Sequence, residues 1–169
     1  MEEYIIDNDS KKFHLIGIGG ISMSAIAQML KDEGNIVTGS DKSESKQVKI
    51  LRDKGIDVTI GHDISKVSDA DIVIYTAAIP DEDIELVEAR KLKKDIYERA
   101  EFLGILIRRY KNSIGIAGTH GKTTTREMVA AALSGGYQVF KTPANFNSQI
   151  GVPLTLFSIP EDAQIGVIE

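Results

Sequence analysis

"GIAGTHGKTTTREM" (residues 115–128) joins the end of an apolar run to the start of a helical pattern through glycine, lysine and threonine. The usual phosphate loop, G-x-x-x-x-G-K-[ST], has its first glycine at the position that here is Ile116. Gly118 supplies the turn before Gly121 instead, and the rest of the pattern is intact. Gly121 lets backbone approach a ligand, Lys122 offers a cation to β- and γ-phosphates, and Thr123 offers a hydroxyl to Mg2+. Backbone N–H groups of the loop and of the following helix add a positive end aimed at the same place. A capped helix with an exposed lysine is the competing reading. The strand pattern before the loop (113–118) and the amphipathic pattern after it (122–134) argue against that alternative.

A second glycine turn lies far upstream. "HLIGIGGIS" (14–22) sets Gly17, Gly19 and Ser22 as G-x-G-x-x-S between a buried-strand pattern (12–19) and a helical one (21–34). Gly17 permits a tight turn, and Gly19 lets backbone approach a pyrophosphate at the helix N-terminus. Asp41 ends the next strand pattern (35–41), where it is placed to reach a ribose hydroxyl. Ser22 in the third position weakens the dinucleotide fingerprint, and a ligand-free strand–helix turn stays open for the isolated motif. Thr76, Ala77, Ala78 and Ile79 put small residues at the carboxyl end of the fourth strand, where open α/β sheets bind ligands. The two features together favour a diphosphate-bearing ligand.

Around these turns, strand and helix patterns alternate. A helix (44–55), strands (56–62 and 71–80, the latter stopped by Pro80), a helix (81–93), a short strand (94–98) and a helix (99–111) follow Asp41. With no hairpin signal, the pairing is parallel through crossovers. Residues 12–110 therefore read as a Rossmann-like doubly wound α/β domain behind a flexible leader (1–11). The basic, polar "RRYKNS" (108–113) marks a boundary. Residues 111–169 restart with strand, loop, helix and a strand (137–142), then a loop around "NFNSQIGVP" with room for a short helix, and a last strand (163–169). They read as the first part of a P-loop α/β domain with an incomplete sheet, whose open edge could support self-association.

Composition narrows the classes. The 169 residues are 42% apolar and 27% charged, an ordinary globular balance. A net charge of −5 argues against non-specific nucleic-acid binding. The lack of cysteine excludes disulfides, thiolate catalysis and Cys-based zinc sites. His14, His62 and His120 show no metal-ligand spacing, and His120 reads as a solvated loop residue. The acidic start has no signal-peptide pattern, and no apolar run approaches a membrane span. A cytoplasmic location follows.

"HLIGIGGISMSAIAQML", "GSD", "YTAAIP", "RAEFLG" and "GTHGKTTT" together resemble the Mur ligases, ATP-dependent amide ligases of peptidoglycan precursor synthesis. Over residues 12–125 the likeness is to the branch that adds L-alanine to UDP-N-acetylmuramate. From Arg126 to Glu169, "REMVAAAL", "NFNSQIGVPLTLF" and "IGVIE" look more like the branch that adds D-alanyl-D-alanine, with Ala144 where that branch has glycine. A divergent natural ligase and an engineered hybrid both remain open.

The resemblance implies that Gly17, Gly19, Gly20, Ile21, Ser22, Met23, Asp41, Thr76, Ala77, Ala78 and Ile79 surround the UDP moiety rather than a dinucleotide. It implies that Gly118, Thr119, His120, Gly121, Lys122, Thr123, Thr124 and Asn145 surround ATP, with Lys122 the catalytic cation and Thr123 and Glu169 holding Mg2+. As the final residue, Glu169 is open to fraying, while Glu127 and Asp162 read as solvated charges. In the family, ATP phosphorylates a substrate carboxylate and an amine then displaces phosphate. This chain ends before the family's later central residues and its amino-acid-binding domain, so the expectation is binding with little or no turnover. A nicotinamide-binding Rossmann protein and a non-catalytic hybrid module are the alternatives. The first leaves "GTHGKTTT" unexplained.

Overall fold

β1 (Lys12–Ile16) has its last four residues buried, as a strand covered on both faces requires. α1 (Ile21–Asp32) follows it and buries Met23, Ala25, Ile26, Ala27, Met29 and Leu30 along its inner side. Next come β2 (Ile36–Asp41), α2 (Lys46–Asp53), β3 (Asp57–Ile60), α3 (Ile64–Asp69), β4 (Ile72–Tyr75), α4 (Ile84–Lys91), β5 (Asp95–Glu98) and α5 (Arg99–Arg108). The computed structural model describes residues 10–108, 112–143, 151–160 and 162–169. It forms two compact units, Met1–Phe102 and Leu103–Glu169, divided within α5.

The first unit holds a five-stranded sheet in the order β3-β2-β1-β4-β5. Every pairing in it is parallel. Strand order reverses between β1 and β4, the point at which such sheets open a crevice beyond their carboxyl ends. α1 packs beside α2 and α3 beside α4. On the α3–α4 side, Ile16 and Val73 of the sheet meet Val67, Ala70, Leu86 and Ala89. His14 lies two residues before Ile16 and so shares that face. The sequence pattern anticipated each of these elements except α3. This six-residue helix starts at Asp63, whose carboxylate accepts from the Ser65 and Lys66 N–H groups.

In the second unit, β6 (Ser113–Gly115), α6 (Lys122–Leu133), β7 (Val139–Lys141), α7 (Gly151–Phe157) and β8 (Ile165–Ile168) succeed one another. β8 lies between β6 and β7 in a parallel three-stranded sheet. All four of its residues are buried, whereas β6 is exposed throughout. Ala130 of α6 packs on Ile165 and Val167, with Ile116, Leu133 and Val139 around them. The short helix allowed for after "NFNSQ" is α7. Among the described residues, no helix is long and apolar enough to cross a membrane.

Candidate functional site

The first glycine turn consumes most of its own hydrogen-bonding capacity. The Gly17 and Ile18 N–H groups both donate to the Ser40 carbonyl (2.9 and 3.0 Å), and Gly20 N–H donates to the Gly17 carbonyl. Gly19 N–H donates to Asp41 Oδ2 at 2.9 Å, and Ser43 N–H donates to Asp41 Oδ1. Gly17 has φ +78, and a Cβ there would sit 2.7 Å from Thr76 Cγ2, so the turn is tight in conformation and in space. The α1 ladder begins with Ser24 N–H on the Gly20 carbonyl. The preceding N–H groups of Ile21, Ser22 and Met23 are the helix's leading donors, a ready place for an anion.

A cavity of about 520 Å3 opens at this switch point. Gly17, Gly20, Asp41, Thr76, Ala78 and Ile79 line it, which gathers six of the sequence-predicted residues into one place. The other five stand differently. Gly19 is engaged with Asp41. Met23 and Ser22 are buried, so their side chains belong to the inner side of α1. Ile21 is 48% exposed, and Ala77 is exposed on the turn after β4.

The floor of the cavity was not foreseen. Glu85, on α4, is fully buried. Ser40 Oγ donates to its Oε2 at 2.5 Å and Asp63 N–H to its Oε1 at 2.7 Å. His14 Nε2 lies 3.4 Å from Oε1, and His14 Nδ1 meets Thr38 Oγ1 at 2.9 Å. Burial alone pushes this carboxyl up. The His14 ring 3.4 Å away, the Ser40 hydroxyl and the Asp63 backbone N–H outweigh it and hold the group at about 2. The carboxylate thus ties β1, β2, α4 and the loop before α3 together beneath the cavity. His62, which showed no ligand spacing in sequence, lies 3.4 Å from Glu85 and 3.7 Å from Asp83. Glu85 oxygens are already committed to Ser40 and Asp63, so this cluster is a hydrogen-bonded wall of the cavity. A histidine inside a buried strand was the one signal in the sequence that such a partner exists.

The second glycine turn is open. Gly118, Thr119, His120, Gly121, Thr123 and Thr124 are exposed. Gly121 caps α6 in the left-handed region (φ +74), and no atom lies within 4 Å of where its Cβ would be. Lys122 folds back so that Nζ donates to the Gly118 carbonyl at 2.7 Å. Among the described residues, His120 meets its neighbour's hydroxyl, Thr119 Oγ1. α6 begins its ladder with Thr125 N–H on the Gly121 carbonyl. The N–H groups of Lys122, Thr123 and Thr124 therefore lead the helix as its free-ended donors. Asn145 lies outside the described residues.

Glu169 is held firmly, contrary to the fraying expected of it. Its N–H donates to Thr142 Oγ1 at 2.9 Å, and its side chain is buried. Thr123 Oγ1 donates to Glu169 Oε1 at 3.0 Å. Neighbouring oxygens on an octahedral Mg2+ stand about 2.9 Å apart, given metal–oxygen bonds of about 2.0–2.1 Å. The hydroxyl and carboxylate therefore fit that ion. Glu169 Oε2 lies 3.1 Å from Arg126 Nη1, a buried partner that sequence reading passed over. Glu127 is exposed, as expected of it, and also pairs with Arg126 and Lys141. The Lys141 ammonium first, and then the Arg126 guanidinium, hold its carboxyl below the ordinary range.

This is a parallel α/β protein in which each unit carries a glycine turn leading from a strand into the N-terminus of a helix. Residues 12–111 match the profile of the Mur ligase family catalytic domain, and residues 116–169 match the Mur ligase middle domain. The chain belongs to the Mur ligase family. It is 58% identical over 122 residues to the UDP-N-acetylmuramate–L-alanine ligase of Caldicellulosiruptor saccharolyticus, covering 72% of this chain and 27% of that one. The corresponding ligase of Clostridium novyi is 50% identical over 123 residues, 73% of this chain and 27% of that one. Among solved structures, the UDP-N-acetylmuramate-alanine ligase of Thermotoga maritima is similar at 38% identity and TM-score 0.60, over 73% of this chain and 29% of that one. A Neisseria UDP-N-acetylmuramate:L-alanyl-gamma-D-glutamyl-meso-diaminopimelate ligase is 27% identical at TM-score 0.61, over 95% of this chain and 52% of that one. The chain spans just over a quarter of the length of the curated relatives it matches.

Proposed function

We propose that these residues form the nucleotide-binding N-terminal portion of an ATP-dependent, alanine-adding Mur ligase. The first unit takes UDP-N-acetylmuramate, and the phosphate loop of the second takes MgATP. The complete enzyme joins L-alanine to the muramate carboxylate, working in the cytoplasm. The observation that carries this reading is the pairing of Thr123 with Glu169 directly beside Lys122. A nicotinamide-binding protein has no use for a hydroxyl–carboxylate metal pair behind a lysine loop.

In the first unit, the leading N–H groups of α1 bind the diphosphate, and Asp41 accepts from a ribose hydroxyl while Gly19 and Ser43 fix its orientation. Thr76, Ala78 and Ile79 close the opposite wall. In the second unit, Lys122 exchanges the Gly118 carbonyl for phosphate oxygens, and Gly118, Thr119, His120, Gly121 and Thr124 shape the cradle around it. The family resemblance assigns Asn145 to the same ligand. Thr123 and Glu169 hold Mg2+, which when bound neutralises phosphate charge during transfer. Phosphoryl transfer to the muramate carboxylate gives an acyl phosphate, from which the alanine amine displaces inorganic phosphate. The protein's share is placement and charge neutralisation.

Isothermal titration of this chain with UDP-N-acetylmuramate and with MgATP, beside a phosphate-release assay, tests the reading. Saturable heat is expected for each ligand. NADH binding in place of the UDP-sugar would overturn it, and robust L-alanine-dependent phosphate release would overturn the restriction of this stretch to binding. Self-association through the outer strands β6 and β7 belongs to the same proposal, and a monomer by light scattering at high concentration would remove it.

A further inference from the structure

Arg126 sits on α6, one turn beyond Thr123, and is 4% exposed. Its fork divides between two carboxylates: Nη1 lies 3.1 Å from Glu169 Oε2, and Nη2 donates to Glu127 Oε1 at 2.8 Å. Glu127 pairs in turn with Lys141 on β7. Glu169 is therefore shared, one oxygen facing the Thr123 hydroxyl and the other facing the guanidinium. Burying an arginine is costly and helix formation does not require one, so its presence needs a reason.

We infer that Arg126 is a positioning residue of the metal site, a resident cation that turns Glu169 toward Thr123 and opposes the binding of bare metal. The inference rests on Thr123 and Glu169 being the metal pair. The guanidinium neutralises the carboxylate from behind. A divalent cation arriving at Oε1 alone meets a weakened ligand and a like charge across one carboxylate. A triphosphate on the loop supplies the missing negative charge. Metal occupancy thereby follows nucleotide occupancy, and Glu169 keeps a single orientation in both states.

Mn2+ alone is the probe, titrated by its free-ion paramagnetic resonance signal against this chain without nucleotide. Arg126→Met and Arg126→Gln both remove the charge, and the second keeps a donor toward Glu169. Both are expected to bind Mn2+ about tenfold more tightly than the parent, while Arg126→Lys stays within about twofold of it. A purely structural ion pair would not give this dependence on charge. Circular dichroism establishes that each variant is folded. Neutral variants that bind Mn2+ no more tightly than the parent, with Glu169→Gln still weakening the parent's binding, overturn the role of Arg126 and leave the metal pair standing. Mn2+ binding unaffected by Glu169→Gln and Thr123→Ala overturns the metal pair and the inference with it. Unfolding of both neutral variants, with Arg126→Lys folded, assigns the arginine to structure and overturns the inference.

Discussion

The two glycine turns share a plan, strand to glycines to helix, yet they are satisfied in opposite ways. In the first, the protein supplies an anion: the Asp41 carboxylate accepts from Gly19 N–H, and the Ser40 carbonyl takes two more donors. In the second, it supplies a cation: Lys122 covers the Gly118 carbonyl, and the surrounding loop is exposed. The first turn is thus built before any ligand arrives, with a buried carboxylate network under it. In the second, Lys122 would have to give up the Gly118 carbonyl to meet the phosphates proposed for it. A pre-formed cradle spends its stability in the fold, whereas an exchangeable one spends it at the moment of binding.

Removing the foundation of the first turn should have the largest effect. Glu85 has its carboxyl lowered from an ordinary 4.5 to about 2. Such a drop corresponds to about 3 kcal/mol of stability at neutral pH. Because the folded value is the lower one, this contribution is fully present above about 4.5 and is lost as pH falls toward about 2. Glu85→Gln should therefore lower stability by about 3 kcal/mol at pH 7, and the gap from the parent should close on acidification. Urea midpoints at several pH values measure it. A gap that does not change with pH would mean the first turn is not anchored electrostatically.

The next test separates the cradles by ligand. Lys122→Ala removes one charge-assisted contact, worth about 2 kcal/mol, so MgATP affinity should fall about 30-fold. UDP-N-acetylmuramate affinity should be unchanged in the same calorimetric experiment. Loss of both would erase the distinction between the turns. The reciprocal variant, Asp41→Ala, loses a ribose contact and the Gly19 clasp, and should weaken the UDP-sugar about tenfold. Its MgATP affinity should not move.

How far the sequence revealed this contrast depended on how local each signal was. The turns at Gly17 and Gly121 were legible because a left-handed backbone between strand and helix restricts residue type at fixed spacing. The parallel alternation was legible because strand and helix periods differ. α3 was missed: with six residues and one buried side chain, Val67, it carries too little pattern to register. Glu85 was missed for a different reason. In "DEDIELVEARK" it looks like any other helix-surface charge, and only the fold brings it to Ser40 and His14. Arg126 was hidden in the same way, its partner lying at the other end of the second unit's sequence. Long-range polar pairs leave no periodic trace.

The smallest expected difference is also the sharpest test of the comparison, because it uses the same substitution at nearly equal φ. Gly17 has φ +78 and Gly121 has φ +74. Alanine at either position pays the left-handed penalty of about 1–2 kcal/mol. At Gly121 nothing else opposes the new methyl. At Gly17 it would sit 2.7 Å from Thr76 Cγ2, so the threonine methyl must shift, adding about 1 kcal/mol. Gly17→Ala should therefore be the more destabilising by about 1 kcal/mol in urea unfolding. Changing Thr76 to serine alongside it should recover that increment, since the clashing methyl is gone. Equal costs at the two positions would show that the first turn is no more tightly enclosed than the second.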